Sequence, residues 1–536
     1  HHFLEQLVAS PAAADYDILV FGEEKQLAYD RVHLSEYFAG STHADLAMGT
    51  ADWYTEQGIQ LLLNEPVTGL DRDQRTVTTP KGDYNYDELV LATGSYPFVP
   101  PIEGREHPHC FVYRTLEDLD AIRASAQAGK SGVVVGGGLL GLEAANALKS
   151  LGLQAHVVEF APRLMPVQLD SDGGALLRHK IEELGVQVHT EKATTAIVTG
   201  EEARLRMNFS DDSHLETDLI VFSAGIRPQD ALARSSGLEV GERGGIVVND
   251  QCTTSDPHIH AIGECALWDQ RIFGLVAPGY TMARTLASVL NGDQEAAFTG
   301  ADMSTKLKLL GVDVGSIGDA HGQTPGARNI RFNDEQIGHY RRMVISEDGK
   351  KLLGAILVGD NSHYDTLLQY TLNGIALPDN PETLILPESQ GGAPALGPDA
   401  LPETASICSC HNVTKGDICG AIDAGCGDLG SVKAETKAST GCGGCTALLK
   451  NVVDSELEKR GVEVSKDLCE HFPYSRQELF HLVKVNGIRT FSTLIRQHGR
   501  GHGCDICKPA VGSILASCWN EHILATDHVP LQDTND

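Results

Sequence analysis

A strand–loop–helix segment with three spaced glycines limits the fold of this chain more than any other stretch. The apolar run 131–135 leads into Gly136-Gly137-Gly138-Leu139-Leu140-Gly141, and a helical pattern follows. Gly136 permits a tight turn, Gly138 lets a pyrophosphate approach the backbone, and Gly141 lets the helix pack on the strand. The phosphates then lie at the helix N-terminus. The segment predicts a dinucleotide-binding unit.

Acidic residues complete the predicted nicotinamide site. Glu143 follows the glycine motif, and Glu159 ends the next apolar run, eighteen residues after Gly141. A carboxylate at this place accepts a hydrogen bond from the ribose 2′-hydroxyl and repels a 2′-phosphate, which favours NADH over NADPH. Arg163 lies near enough in sequence to keep NADPH open as the alternative. Gly225 is assigned to the same site.

The front of the chain predicts a second dinucleotide-binding half. Residues 1–7 have a helical pattern, and the short apolar strand 17–21 ends before Glu23 and Glu24. In a Rossmann half, an acid at the end of the second strand binds the ribose of the adenosine. We expect the glycine loop that should precede the first helix to lie before His1, in a longer protein.

Two further strand ends indicate a flavin. Thr93 and Gly94 follow one apolar run, and Gly263 and Glu264 follow another. Together they resemble the two FAD-contact motifs of the pyridine-nucleotide-dependent flavoprotein reductases. That family usually has Asp at the last position, so the longer Glu264 side chain would shift the contact with the ribitol.

A sequence repeat and the cysteine positions indicate the subclass of flavoprotein reductase. Residues 223–228 repeat the pattern of residues 93–97, which predicts a nicotinamide domain inserted within a flavin domain. No close cysteine pair lies in these domains, so we expect no disulfide reductase, and electrons must leave the flavin singly for another centre. The isolated Cys110, Cys252 and Cys265 are predicted to be small core residues.

That other centre is predicted from four cysteines. Cys408-Ser-Cys410 and Cys442-Gly-Gly-Cys445 form a four-thiolate set of the kind that holds iron–sulfur clusters. Zinc is the weaker alternative, because one residue between cysteines is tighter than the usual zinc-ligand spacing. Ten of the thirteen cysteines lie after residue 400, which favours ligation in a reducing cytoplasm over a secreted disulfide framework.

A second cysteine module repeats the first. Thr414 to Asp417 and Ser475 to Glu478 are two capping-box sequences, and each is followed at nearly the same distance by a Cys-x-x-Cys pair. By this alignment His471 replaces one cysteine. The alternatives for this second site are a [2Fe–2S] cluster, a Cys3His zinc ion or a metal-free relic. Its candidate ligands are Cys469, His471, Cys504 and Cys507.

The predicted fold class is α/β. It comprises two Rossmann-like dinucleotide-binding domains for FAD and NAD, a small α+β domain and two small helical cysteine modules. The predicted boundaries are 1–115 plus 245–300 for the FAD domain, 116–244 for the NAD domain, 301–385 for the α+β domain, 386–406 for a linker, 407–460 and 466–525 for the cysteine modules, and 526–536 for a tail.

Charge and hydropathy restrict the partners. The net charge of −31 argues against nucleic acid and anionic membranes. No apolar run reaches the roughly 18 residues that a membrane helix needs, and no signal peptide is visible. We expect a cytoplasmic protein whose oligomeric state, a homo-oligomer included, stays open.

The motifs together resemble a known family. The chain is similar to the large subunit of assimilatory-type NAD(P)H-dependent nitrite reductase. The matching stretches are 28–34, 136–143, 308–315, 408–445, 469–477 and 514–520.

The resemblance implies more than the motifs do. It implies FAD, with Arg31 added to its site, NADH, and a bacterioferritin-associated-ferredoxin-like [2Fe–2S] module. The small α+β domain resembles the C-terminal domain of rubredoxin-reductase-like flavoproteins. The family also implies a small subunit and a siroheme/[4Fe–4S] module that turns nitrite into ammonium. We expect that module beyond Asp536, because the cysteines it needs do not follow Cys518.

The predicted function is therefore electron transfer from NADH through flavin to the cluster, as one part of a nitrite reductase in nitrate assimilation. No side-chain acid or base is required, and no catalytic residue is predicted. The first alternative is a stand-alone NADH-dependent ferredoxin or rubredoxin reductase. The second is a redox-sensing binding module in which the cluster binds a partner.

Overall fold

A computed structural model describes most of the chain, and its elements follow the predicted alternation of strands and helices. It describes residues 1–387, 391–392, 397–408, 411–440, 445–462, 467–501, 503–504 and 506–519. Two compact units are present, His1–Ala161 with His189–Met303, and Pro162–Val188 with Ser304–Asp536.

The elements are short at the front and longer towards the middle. Up to residue 160 they are α1 (His2–Val8), β1 (Leu19–Phe21), α2 (Glu36–Ala39), α3 (Ala51–Glu56), β2 (Gln60–Leu62), β3 (Gly69–Asp71), β4 (Thr76–Thr79), β5 (Gly82–Asn85), β6 (Leu89–Leu91), β7 (Ser95–Pro97), β8 (Cys110–Val112), α4 (Leu116–Ala126), β9 (Ser131–Val135), α5 (Leu139–Ser150) and β10 (Gln154–Val158). Up to residue 303 follow α6 (Ser171–Glu183), β11 (Gln187–His189), β12 (Thr194–Thr199), β13 (Leu205–Phe209), β14 (His214–Thr217), β15 (Leu219–Phe222), β16 (Ile226–Pro228), α7 (Ala231–Ser235), β17 (Ile246–Val247), β18 (Ile259–Ala261), β19 (Ala266–Leu267) and α8 (Val276–Leu290).

A hairpin-rich segment and then short helices make up the rest. They are β20 (Thr305–Leu309), β21 (Val312–Gly318), β22 (Arg328–Asp334), β23 (His339–Ile345), β24 (Leu352–Val358), α9 (Tyr364–Leu372), β25 (Ser406–Cys408), β26 (Val413–Thr414), α10 (Lys415–Asp423), α11 (Leu429–Thr436), α12 (Thr446–Lys459), α13 (Arg476–Asn486), α14 (Phe491–His498) and α15 (Cys507–Cys518). No described helix combines the length and the apolar character needed to cross a bilayer.

The first unit contains a parallel sheet in the order β10-β9-β15-β8. Its strands are almost continuously apolar, as expected where a parallel sheet is covered on both faces. Val133, Val134 and Ile220 are fully buried. Strand β6 pairs in parallel with β18, so the carboxyl ends of these two strands meet at one edge.

The predicted repeat of residues 93–97 and 223–228 is also a structural pair. Strands β7 and β16 lie antiparallel, with Pro97 opposite Ile226 and Ser95 opposite Pro228. The backbone N–H of Phe98 donates to the carbonyl of Gly225 at 2.8 Å. The two similar stretches are therefore hydrogen-bonded neighbours.

The second unit contains an antiparallel sheet in the order β20-β21-β24-β23-β22. Strands β23 and β24 pair around Asp348-Gly349, and Gly349 has a positive φ of 73°, as hairpin turns often require. Leu310 and Gly311, both with positive φ, turn the chain between β20 and β21.

Helix α6 packs on this sheet through a buried ion pair. Asp170 caps the helix by accepting from the Gly173 N–H at 3.0 Å. The same side chain accepts from the Tyr340 hydroxyl at 2.6 Å and from Arg342 at 2.9 Å. Only 12% of the Asp170 side chain and 7% of Arg342 are exposed. Burial alone would raise the pKa of Asp170, but the hydrogen bonds from Tyr340, Gly173 and Arg342 outweigh it and lower the pKa.

Replacing Asp170 by Asn tests this ion pair. The variant keeps a capping oxygen but leaves the Arg342 guanidinium buried without a counter-charge, which we expect to cost about 3 kcal/mol of local stability. The loss of stability should be measured by hydrogen exchange of the β23 amides. A local measurement is needed because a chain with two units does not unfold in one step. Because the pKa is lowered on folding, the wild-type advantage is present above about pH 4 and disappears as the pH falls through the folded value.

The control for this prediction lies on the same helix. Glu182 pairs with Arg178 at 2.9 Å, and both side chains are about 40% exposed. Glu182→Gln should cost less than about 1 kcal/mol, because exposed pairs contribute little. Equal effects of the two substitutions would contradict the assignment.

Candidate functional site

The predicted nucleotide loop lies between β9 and α5. Gly136 has a φ of 119° and donates its N–H to the carbonyl of Val158 at 2.8 Å. Gly138 is the N-cap residue of α5, in extended conformation and without a capping side chain. The first amides of α5 are therefore available for an anion, as a helix N-terminus with a bare glycine cap provides.

The three predicted glycines are needed for different reasons. A Cβ on Gly141 would lie 1.9 Å from the carbonyl oxygen of Gly136, and a Cβ on Gly136 would lie 2.2 Å from the carbonyl oxygen of Ser223. A Cβ on Gly138 would meet nothing within 4 Å. Gly136 and Gly141 thus shape the loop itself, whereas the open space at Gly138 is room for an approaching group.

Glu159 lies at the same loop. Its carboxylate accepts from the Gly137 N–H at 2.5 Å and from the Ala161 N–H at 2.7 Å. Strand β10 ends just before it. Glu143 lies in the second turn of α5 and Gly225, with a φ of 101°, follows β15. The structure thus brings Glu159 to the glycine loop and places Gly225 at the end of a neighbouring strand.

The predicted flavin residues Thr93, Gly94, Gly263 and Glu264 lie at the shared edge of β6 and β18. The Ile262 N–H donates to the carbonyl of Leu91 at 3.1 Å, which holds the two strand ends together. Gly94 and Gly263 have φ values of 66° and 77°, and a Cβ on Gly263 would meet nothing within 4 Å. The Thr93 hydroxyl donates to the carbonyl of Gln229 at 2.6 Å.

Arg114 joins this edge and was not predicted from the sequence. Its guanidinium donates to Glu264 and to the Ser95 hydroxyl, both at 2.9 Å, and the Ser95 hydroxyl donates to Glu264 at 2.5 Å. Side-chain exposure is 17% for Arg114 and 22% for Glu264. The carboxylate is therefore fixed in place, which the predicted ribitol contact requires.

A second ion pair, between Arg31 and Glu24, is connected to Arg114. Arg31 donates to Glu24 and, through its other nitrogen, to the carbonyl of Arg114 at 2.8 Å. The Tyr29 hydroxyl also donates to Glu24, at 2.7 Å. Glu23, the alternative acid, is exposed. Of the two predicted acids, Glu24 is the one that the structure ties to Arg31 and Arg114.

The isolated cysteines of the first unit have the properties of core residues. Cys252 and Cys265 are fully buried in the cluster that contains Leu91, Met282 and Phe298. Burial raises the pKa of the Cys252 thiol to about 12 and also raises that of Cys265. For Cys110, half-buried, burial raises the pKa to about 11. The prediction of small core residues is confirmed for Cys252 and Cys265, whereas Cys110 is only half-buried.

The first cysteine module is described in part. Cys408 ends β25 and is 2% exposed, and Cys445 is the N-cap residue of α12. The predicted partners Cys410 and Cys442 lie outside the described residues. The predicted capping box of Thr414 and Asp417 begins α10.

The second cysteine module brings its four predicted ligands together. Ligand atoms of Cys469, His471, Cys504 and Cys507 all lie within 4.8 Å of one another. The Cys469 sulfur lies 3.7 Å from His471 Nδ1. The predicted capping box of Ser475 and Glu478 begins α13.

Three known families match successive parts of the chain. The pyridine nucleotide-disulphide oxidoreductase family matches residues 5–291. The rubredoxin NAD+ reductase C-terminal domain matches residues 304–375, and the BFD-like [2Fe-2S] binding domain matches residues 406–455. These matches confirm the predicted fold class, and they imply FAD, NAD(P)H and a [2Fe–2S] centre.

Relatives and solved structures agree with the family matches. The nitrite reductase [NAD(P)H] large subunit of Klebsiella oxytoca is 60% identical over all of this chain, which covers 56% of that protein. The nitrite reductase (NADH) large subunit of Escherichia coli (strain K12) is 57% identical, again over all of this chain and over 64% of its own length. The chain thus spans less than two thirds of the length of either relative. A ferredoxin reductase from Rhodopseudomonas palustris shares the fold, with a TM-score of 0.63 and 24% identity over 73% of this chain and 98% of its own.

The residues present fit the implied groups. Open space at Gly138 and bare amides at the start of α5 suit a pyrophosphate. Open space at Gly263 beside the fixed Glu264 carboxylate suits a flavin that contacts the strand ends. Cys408 and Cys445 supply the soft thiolate donors that an iron–sulfur centre takes.

Two alanine substitutions separate the roles of the glycines. Gly141→Ala forces a Cβ against the Gly136 carbonyl, so we expect both a lower thermal midpoint and weaker NADH binding. Gly138→Ala finds open space, so it should leave the thermal midpoint unchanged but raise the NADH concentration for half-maximal flavin reduction about tenfold, or ~1.4 kcal/mol. Stopped-flow flavin reduction measures this, and unchanged NADH binding in Gly138→Ala would contradict the assigned role.

Proposed function

Because this chain belongs to the pyridine nucleotide-disulphide oxidoreductase family, we propose that it is the NADH-oxidising electron-transfer part of a nitrite reductase. It is an NAD(P)H-dependent flavoprotein oxidoreductase, similar over its whole length to nitrite reductase large subunits. In the proposal, FAD held by the flavin-site residues would supply the conversion of a hydride from NADH into single electrons, and the cysteines of the first module would hold the [2Fe–2S] centre that takes single electrons. The final acceptor is a siroheme/[4Fe–4S] module that reduces nitrite to ammonium.

One observation carries the proposal. In the flavin and nicotinamide regions Cys252 and Cys265 are buried, Cys110 is half-buried, and burial raises the pKa of all three thiols. No two of them form a close sequence pair, so they do not provide the redox-active dithiol of a disulphide oxidoreductase. The thiol chemistry lies instead in the segment from Cys408 to Cys445, which matches the BFD-like [2Fe-2S] domain. Electrons therefore need a route out of the flavin that is not a local disulfide.

Residues of this chain have positioning roles in the proposal. The glycine loop and Glu159 bind the nicotinamide dinucleotide, and Gly225 borders the same site. Glu24, Arg31, Gly94 and Glu264 hold FAD, with Arg114 fixing Glu264. The Cys408, Cys410, Cys442 and Cys445 thiolates are the proposed ligands of the [2Fe–2S] centre. The proposed partners are the small subunit and the siroheme module.

A stand-alone reductase for ferredoxin or rubredoxin is the second candidate. The match of residues 304–375 to the rubredoxin NAD+ reductase C-terminal domain favours it. The two candidates differ in the electron acceptor. Nitrite-dependent NADH oxidation by the full-length protein, with ammonium as product, supports the first, whereas oxidation that needs added ferredoxin or rubredoxin supports the second.

Glu159→Gln tests the coenzyme preference. The substitution keeps one acceptor oxygen, for either the Gly137 or the Ala161 amide, and removes the charge that repels a 2′-phosphate. Arg163 already donates to the carbonyl of Leu169 at 2.9 Å, which supports a site not arranged for NADPH. We expect the ratio of kcat/KM for NADH over NADPH to fall about tenfold, or ~1.4 kcal/mol. An unchanged ratio would refute the role of Glu159.

Anaerobic absorption spectra of the full-length protein test electron transfer. With NADH, we expect flavin bleaching followed by loss of the iron–sulfur absorption. Cys408→Ser should keep the flavin bleaching but lose the [2Fe–2S] absorption and electron transfer to an added one-electron acceptor, because it removes a buried ligand. Cys518→Ser, outside both ligand sets, is the matched control. If NADH leaves the iron–sulfur absorption unchanged while FAD is bound, electron transfer is excluded.

A further inference from the structure

The second cysteine module has a ligand set that the BFD-like match, ending at residue 455, does not reach. Cys469 and His471 lie in a turn before α13, where Cys469 forms an antiparallel bridge with Phe472. Cys504 lies before α15, and Cys507 is the first residue of that helix. Cys469 and Cys507 are buried, whereas His471 and Cys504 are half-buried.

The distances among these ligands suit one metal ion. The Cys504 and Cys507 sulfurs are 3.8 Å apart, and the Cys469 sulfur is 3.7 Å from His471 Nδ1. A tetrahedral zinc ion with Zn–S bonds of about 2.3 Å and a Zn–N bond of about 2.0 Å sets its ligand atoms about 3.5–3.8 Å apart. All four atoms lie within 4.8 Å of one another. In a two-iron cluster, each iron takes two of the four protein ligands. The two ligand pairs then lie farther apart than the ligands of a single metal ion do.

The backbone around the ligands is shaped for this cluster. Gly501 and Gly503 have φ values of 63° and 92°. A Cβ on Gly501 would lie 3.2 Å from the His471 ring, and one on Gly503 would lie 3.3 Å from the Cys507 sulfur and 2.4 Å from the Phe491 ring. The Cys504 N–H donates to the Cys507 sulfur at 3.1 Å.

The position of the site suits a structural role. The module is a small set of helices, α13 to α15, around a core that includes Phe472, Leu479, Phe491 and Leu515. Helical units of this size bury little surface and often need a metal or another crosslink. An ion here ties the turn before α13 to the start of α15. Zinc fits such closed sites with three cysteines and one histidine.

We propose that Cys469, His471, Cys504 and Cys507 bind a single, redox-inactive divalent ion of the zinc class, which holds the second cysteine module together. The site takes no part in the electron path proposed for the first module. Failure of the zinc proposal is distinguishable from failure of the proposed electron transfer, because the first module is proposed to hold iron and the second to hold zinc.

Elemental analysis of the full-length protein and its variants tests the proposal by difference. Cys504→Ser should lose about one zinc per chain and no iron. Cys408→Ser should lose iron and no zinc. Cys518→Ser, in the same module but outside the ligand set, should lose neither. Loss of iron from Cys504→Ser, whether one or two atoms per chain, would overturn the proposal in favour of an iron centre.

Cobalt substitution keeps the test valid if Cys504→Ser fails to fold. Cobalt(II) is added to chelator-treated Cys408→Ser protein, in which the first ligand set is incomplete. We expect tetrahedral d–d bands with thiolate-to-cobalt charge transfer, and at least a tenfold weaker cobalt affinity when His471→Ala is added. If no tetrahedral spectrum forms, or if His471→Ala leaves spectrum and affinity unchanged, the four residues are not the site.

Discussion

Helix α5 packs against its own entry loop at a distance that only a glycine allows. The Gly141 Cα faces the Gly136 carbonyl so closely that a Cβ would overlap the oxygen, and Gly136 in turn lies against the Ser223 carbonyl after β15. These two contacts fix the helix start relative to β9 and β15. Because Glu159 and Gly225 follow strands of the same sheet, their positions depend on this packing as well.

The flavin region relies on electrostatics where the nicotinamide region relies on close packing. Glu24, Arg31, Arg114 and Glu264 form a continuous series of ion pairs and hydrogen bonds. The series joins the loop after β1 to the loop after β18. These four side chains are only partly exposed. The Arg31 and Arg114 guanidinium groups therefore position their carboxylate partners and are not free surface charges. The ion pairs thereby fix the charged side chains at the edge of β6 and β18, beside the apolar cluster that contains Leu91 and Cys265.

Local patterns predicted the parts of this structure that are local. The apolar run and glycine spacing predicted β9 and α5, and the capping boxes at Thr414 and Ser475 predicted two helix starts. Arg114 was missed because no pattern surrounds it, and its partner Glu264 lies 150 residues away. The packing of α6 on β23 was missed for the same reason, since Asp170 and Arg342 meet only after both elements have formed. The metal ligands are the exception among contacts between distant residues, because their spacing in the sequence predicts that they meet. In the second module the four predicted ligands do lie together.

The burial of cysteines in the first unit also affects which thiols of this protein can be oxidised. Oxidation of cysteine to sulfenic and then sulfinic acid begins from an accessible thiolate. Cys110, Cys252 and Cys265 are held as thiols by burial, and two of them are fully enclosed. Peroxide formed beside a flavin would thus find few reactive thiols in the nucleotide-binding region. Cysteine oxidation in this chain should therefore begin in the cysteine modules.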